Sequence, residues 1–184
     1  MRTFIAIDLE AGIKKTLQAI IQALKSTGAD VRWVQAGGLH LTLKFLGEID
    51  EAQADRVKTI LAQVAGHHVP FALRLEGTGA FPAEKSPRVL WVGFTAAPEL
   101  IALQDELDGA LEAEGFAREK RAFKPHLTLG RVRGPDRVRN AVLELEKHRA
   151  ETFGDMIVRK VALFESRLNP LGAEYRVVFE AGLA

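Results

Sequence analysis

The sequence predicts an α+β fold: antiparallel sheets in two lobes related by a pseudo-twofold axis, helices on the outside, and a central cleft. Three observations carry that expectation. Four stretches place apolar residues at helical spacing. Strand-like stretches fall in pairs between those helices, a pattern of antiparallel sheets rather than of alternating parallel units. One tetrapeptide, His-Leu-Thr-Leu, occurs at 40–43 and again at 126–129, so each lobe would hold one copy.

The elements follow in order. Thr3 to Asp8 is a buried strand. Ile13, Leu17, Ile20, Ile21 and Leu24 mark one face of a first helix, and Gly28 stops it. Val31 to Val34 is a short strand. Gly37-Gly38 turns the chain into a strand from Leu39 to Leu46. Asp50 caps a second helix with Ala54, Val57, Ile60, Leu61 and Val64 inward. Val69 to Glu76 alternates as a strand, and the glycines and prolines from Gly77 to Pro87 read as a loop. Val89 to Thr95 is a strand. Leu100, Leu103, Leu107 and Leu111 define a third helix, with Pro98 in its first turn and Gly115 beyond its end. Pro125 opens the second repeat strand, where a missing N–H is tolerated. Val138, Ala141, Val142 and Leu145 define a fourth helix. Two strands close the chain, around 153–165 and 174–180, joined by Asn169-Pro170-Leu171-Gly172.

Composition bounds the function. The 184 residues suit one domain of two lobes spanning 1–184. A formal net charge of +1 gives no global field, so an anion site must be local. The chain has no cysteine, which excludes disulfides, thiolate catalysis and thiolate metal ligands. No apolar run approaches the ~18 residues of a membrane helix, and the opening residues, with Asp8 and Glu10, do not make a signal peptide. A cytoplasmic protein without a membrane partner is expected.

The repeat carries the chemistry. On a strand, side chains i and i+2 share a face. His40 and Thr42 therefore stand side by side, as do His126 and Thr128, with the leucines opposite. Two imidazoles suit a reaction in which one group removes a proton and another delivers one near neutral pH. Two hydroxyls suit the oxygens of a phosphoryl group as charge builds on them. A metal is not expected, because neither copy supplies a second ligand at i+2 or i+4. From Arg118 to Arg139 there are eight basic residues: Arg118, Lys120, Arg121, Lys124, Arg131, Arg133, Arg137 and Arg139. Such a run reads either as a solvated surface or as the flank of an anion site.

With these residues assembled, the chain resembles the 2H phosphoesterase superfamily. Within it, the chain is most similar to the bacterial and archaeal RNA 2′,3′-cyclic phosphodiesterases, first described as 2′-5′ RNA ligases. The likeness rests on Arg2 to Ile7, on Arg32-Trp33-Val34 with Leu39 to Gly47, on Phe123 to Arg131, and on Leu163 to Ser166 with Tyr175. It implies a two-lobed fold and a reaction without cofactor or metal on RNA ends or oligonucleotides carrying a 2′,3′-cyclic phosphate. A 2′-phosphate would remain, and 2′-5′ ligation would be the reverse or a side activity. It further implies His40 as acid and His126 as base, with Thr42, Thr128 and Arg131 on the phosphate and Phe45 stacked on the terminal base. A monomer is expected.

Strict alternation opposes two of these roles, because it puts Phe45 and Arg131 on the leucine faces. Gly130 permits a bulge that would turn Arg131. No residue near Phe45 offers such a device, so a core position and a stacking position both stand. Two rival functions also stand: a non-catalytic RNA-end or nucleotide-binding module, and a 2H phosphodiesterase acting on a small cyclic or 2′-5′ nucleotide.

Overall fold

The computed structural model describes residues 1–170 and 172–184; Leu171, in the expected turn at 169–172, lies outside the described residues. The elements run β1 (Arg2–Asp8), α1 (Ala11–Lys25), β2 (Val31–Trp33), a 3₁₀ turn (Ala36–Gly38), β3 (His40–Glu48), α2 (Glu51–Gly66), β4 (Phe71–Phe81), β5 (Val89–Phe94), α3 (Pro98–Glu112), β6 (His126–Val132), α4 (Val138–Glu146), β7 (Thr152–Val158), β8 (Lys160–Asn169) and β9 (Gly172–Gly182). The strands form two antiparallel sheets, in the orders β3-β1-β8-β9 and β2-β6-β5-β4-β7.

Each helix buries the stripe that its spacing marks, except that Ile60 of α2 is only half-buried, at the margin of a stripe that takes in Ala65 instead. In α1 the buried residues are Ile13, Leu17, Ile20, Ile21 and Leu24. In α3 the leucines at 100, 103, 107 and 111 are buried, together with Gln104 and Asp108. Asp50 caps α2 in a full capping box with Gln53, so two orphan donors of the first turn are satisfied. Helices α2 and α3 pack on the first sheet, and α1 and α4 on the second. The leucines of both repeats, Leu41, Leu43, Leu127 and Leu129, join the helix stripes in one buried cluster. Each such side chain contributes ~1.5–3 kcal/mol by leaving water. All four helices therefore cover the leucine faces and leave the histidine faces open to a cleft. Among the described residues, no helix is long and apolar enough to cross a membrane.

Three features differ from the sequence expectation. First, Gly77 to Phe81 is strand, not loop. Gly77 takes φ +77° at a register shift in β4, and Gly79 lies under the Trp91 ring, where an added Cβ would sit 2.4 Å from Cζ2. These glycines mark a bulge and a close approach, two roles that composition does not separate from a turn. Second, 153–165 is not one strand. It breaks at Arg159, with β7 paired to β4 in one sheet and β8 to β1 in the other. Third, the lobes are not the halves of the sequence. One is built from β1, β3 and the closing hairpin, the other from β2 and the central strands.

Candidate active site

The two repeats meet because of where their strands lie. Strand β3 is the edge of its sheet, and its Cα atoms come within 8 Å of those of β6 in the other. The lobes thus approach each other at the two strands that carry the repeats.

Each of these strands carries one extra residue at the same place. In the β1–β3 ladder Ala6 pairs with Thr42 and Ile5 with Lys44, so Leu43 is skipped. In the β5–β6 ladder Trp91 pairs with Thr128 and Leu90 with Gly130, so Leu129 is skipped. An unpaired residue resets the alternation beyond it. Phe45 then pairs with Phe4, and Arg131 with Val89, on the histidine faces. This decides the two placements left open for Phe45. It is 65% exposed, its ring 6.0 Å from that of Phe4, and it is not a core residue.

His40 sits in an aromatic enclosure. Its ring stacks on Phe4 at 4.7 Å and 22°, lies 5.5 Å from Phe164, and meets Tyr175 edge-on at 5.1 Å. Phe4, Ala6, Ala162 and Phe164 form the small buried cluster beneath it. Burial pushes the His40 imidazole down from 6.5 to about 4; the Asp8 carboxylate pulls the other way and the Lys14 ammonium adds to the depression. Asp8 is its cross-strand partner and is itself held by Lys14 at 2.7 Å. Burial among these rings therefore holds His40 neutral at pH 7.

His126 is fixed differently. Its Nδ1 lies 2.7 Å from the Lys124 carbonyl. A carbonyl only accepts, so Nδ1 donates and Nε2 is left without a protein hydrogen-bond partner among the described residues. Phe81 packs edge-on against the ring at 5.0 Å and touches Trp91 at 5.1 Å.

The polar groups beside the histidines are unspent. Thr3 and Thr78 donate to backbone carbonyls. Among the described residues, Thr42 and Thr128 have no such partner, and Arg131 has no ion pair. Of the basic run, Arg118 is bound by Asp105 at 2.5 Å and Arg133 by Asp30 at 3.2 Å, while Arg137 lies over Gly28. Among the described residues, no cluster of three or more His, Asp or Glu side chains is arranged to hold a metal ion.

Sequence reading missed several groups. Lys44 would stand beside His40 under strict alternation. The bulge turns it inward, where it is 3% exposed, ion-paired with Asp108 of α3, and donates to the Ala117 carbonyl at 2.5 Å. Asp108 also accepts from the Glu119 amide at 3.1 Å. A lysine inside an apolar strand and an aspartate among the α3 leucines were the available signals. Phe4, Phe164 and Tyr175 lie in stretches that carry the family likeness, but their convergence on His40 left no local signal, because they come from opposite ends of the chain.

Comparison with known proteins agrees with this geometry. Residues 13–170 match the family model described as the 2′-5′ RNA ligase superfamily. An RNA 2′,3′-cyclic phosphodiesterase of Archaeoglobus fulgidus is 38% identical over 177 residues, covering 96% of this chain and 97% of that protein. One of Thermotoga maritima is 35% identical over 181 residues, covering 98% and 94%. The crystal structure of TT0787 of Thermus thermophilus superposes with a TM-score of 0.77 at 30% identity, covering 100% of this chain and 98% of that one. That of E. coli LigT complexed with 3′-AMP gives 0.75 at 27%, covering 99% and 97%. With two bulged His-Leu-Thr-Leu strands meeting at a cleft, this chain belongs to the 2′-5′ RNA ligase superfamily.

Proposed function

We propose that this protein hydrolyses RNA ends carrying a 2′,3′-cyclic phosphate to a 2′-phosphate and a free 3′-hydroxyl, by a metal-independent reaction between two histidines. The observation that carries the reading is the close approach of the two repeat strands from separate sheets, each carrying one imidazole and one unspent hydroxyl on the face away from the leucine core. The names of the relatives, RNA 2′,3′-cyclic phosphodiesterase, support the substrate class.

The bond changes follow. Water attacks phosphorus, and His126 Nε2 takes its proton. The fixed Nδ1 donor supports this role, because it leaves the basic lone pair on Nε2. His40 gives a proton to O3′ as the P–O3′ bond breaks. Burial holds the His40 imidazole well below its ordinary pKa, so it must gain that proton with substrate. A phosphodiester anion beside the ring favours the imidazolium and opposes the effect of burial. Thr42, Thr128 and Arg131 hold the phosphate oxygens, and Phe45 stacks on the terminal base. The same steps, with a 5′-hydroxyl in place of water as nucleophile, would join ends through a 2′-5′ bond as the P–O3′ bond breaks, and their reverse would cleave that bond. The shared core supports a single domain spanning 1–184, and we propose that it works as a cytoplasmic monomer.

End-group analysis of an oligonucleotide with a terminal cyclic phosphate tests the reading, run with and without EDTA. A 2′-phosphate product in both is expected. A 3′-phosphate product, or loss of turnover on chelation, would overturn it.

A further inference from the structure

Arg32 on β2 is the direct cross-strand partner of Arg131 on β6. The other charged cross-strand pairs match opposite signs: Arg74 with Asp155, Glu165 with Arg176, Arg167 with Glu174, and Arg2 with Glu48. Among the described residues, Arg32–Arg131 is the one like-charged pair in either sheet, and neither guanidinium has an ion pair. Like charges placed directly opposite are destabilising. Among the described residues no carboxylate pairs with either, although Arg133 two residues on is neutralised by Asp30.

The pair also lies on the right face. Direct partners in an antiparallel ladder point the same way, so Arg32 shares the cleft face with Arg131, Thr128 and His126. Its neighbours Val31 and Trp33 point the other way, against Gly130, where an added Cβ would sit 2.6 Å from Val31. Arg131 stands two side-chain steps past His126, with Thr128 between. Arg32 stands one strand further out, ~4.8 Å toward the sheet edge. The opposite wall, with Phe4, Phe45 and Tyr175 around His40, is aromatic.

We propose that Arg32 binds a second phosphate, the internucleotide phosphodiester on the 5′ side of the terminal nucleotide. This rests on the reading above that the cleft takes a cyclic-phosphate RNA end. The terminal base then sits on the aromatic wall, the reacting phosphate lies between the histidines, and the chain leaves over the arginine pair. Arg32 thereby makes the protein favour an oligonucleotide over a mononucleotide.

The test compares a nucleoside 2′,3′-cyclic monophosphate, which lacks that phosphodiester, with a trinucleotide ending in the same cyclic phosphate. Arg32→Gln is expected to lower the trinucleotide-to-mononucleotide ratio of kcat/KM by about tenfold, through KM rather than kcat. It should also reduce the salt slope for the trinucleotide by ~0.7. Arg32→Lys should restore part of the ratio. Lys58→Gln, the same charge change on helix α2, should leave the ratio unaltered. An unchanged ratio in Arg32→Gln, an equal loss on both substrates, or the same loss in Lys58→Gln would overturn the proposal. If the wild type cleaves neither substrate, the catalytic reading fails. Anisotropy of a labelled trinucleotide ending in a 2′-phosphate then decides Arg32 alone: weaker binding with a shallower salt slope supports it, and equal binding or none overturns it.

Discussion

Phe45 and Arg131 hold matching positions in the two lobes, and one device delivers both. Each is the fifth residue past its histidine, and each follows a strand residue that the ladder skips, Leu43 or Leu129. Without the skip both would point into the helix-covered core. The two lobes thus share a backbone plan and differ in what they present, an aromatic ring on one wall and a guanidinium on the other.

Phe45→Ala separates binding from packing. The ring is 65% exposed, so the change in unfolding free energy should stay within about 0.5 kcal/mol. Stacking on one base is worth ~1–3 kcal/mol, so KM should rise roughly 5- to 150-fold with kcat held. Steady-state kinetics beside urea unfolding reads both. An unchanged KM would return Phe45 to the role of an idle surface residue.

His40→Asn and His126→Asn should each slow single-turnover hydrolysis by ~10²–10⁴, as expected for loss of an acid or a base. The double variant should fall by less than the product, because the two act on one step. Near-normal turnover in either single variant would refute the paired roles.

The buried Lys44–Asp108 pair ties the His40 strand to α3 and to the backbone at 117–119. Lys44→Met strands a carboxylate that is 4% exposed, and should cost ~3–5 kcal/mol in denaturant unfolding. Lys44→Met with Asp108→Leu should recover much of that loss, since a neutral pair has no charge to desolvate. A double variant as unstable as the single would show that the hydrogen bonds to 117–119, not the charges, carry the effect.

The depressed pKa of His40 makes a stability prediction with a definite sign. Its folded value is about 4 and its ordinary value 6.5. Above pH 6.5 both states are neutral and the group adds no pH dependence. As pH falls from 6.5 toward 4, the unfolded chain binds a proton that the folded chain refuses. Stability then drops by up to ~1.4 kcal/mol per pH unit. The carboxylates of Glu106, Asp155 and Glu165, lowered by their His and Arg partners, also lose stabilisation on acidification. They are common to wild type and His40→Asn, so the difference between the two pH curves isolates His40. The wild-type advantage should shrink between pH 6.5 and 4; a constant difference would mean that the aromatic enclosure does not hold His40 neutral.

Local spacing was enough to place the helices, whose buried stripes are the spaced leucines and isoleucines, and to pick out the repeat that marks the cleft. It also showed the side chains of each His-Leu-Thr-Leu sorting onto two faces, because the period of two is built into every strand. Tertiary structure alone decided what lies beyond each threonine. A single skipped residue inverts every later side chain, and whether it is skipped depends on the neighbouring strand, not on local propensity. The same holds for the glycines at 77 and 79, which only the packing of Trp91 distinguishes from a turn. It holds for Arg32 and Arg131, a like-charged pair only because two strands 99 positions apart in sequence run side by side. Pairing across sequence distance is set by the burial of both sheets against their helices, and no local pattern encodes it.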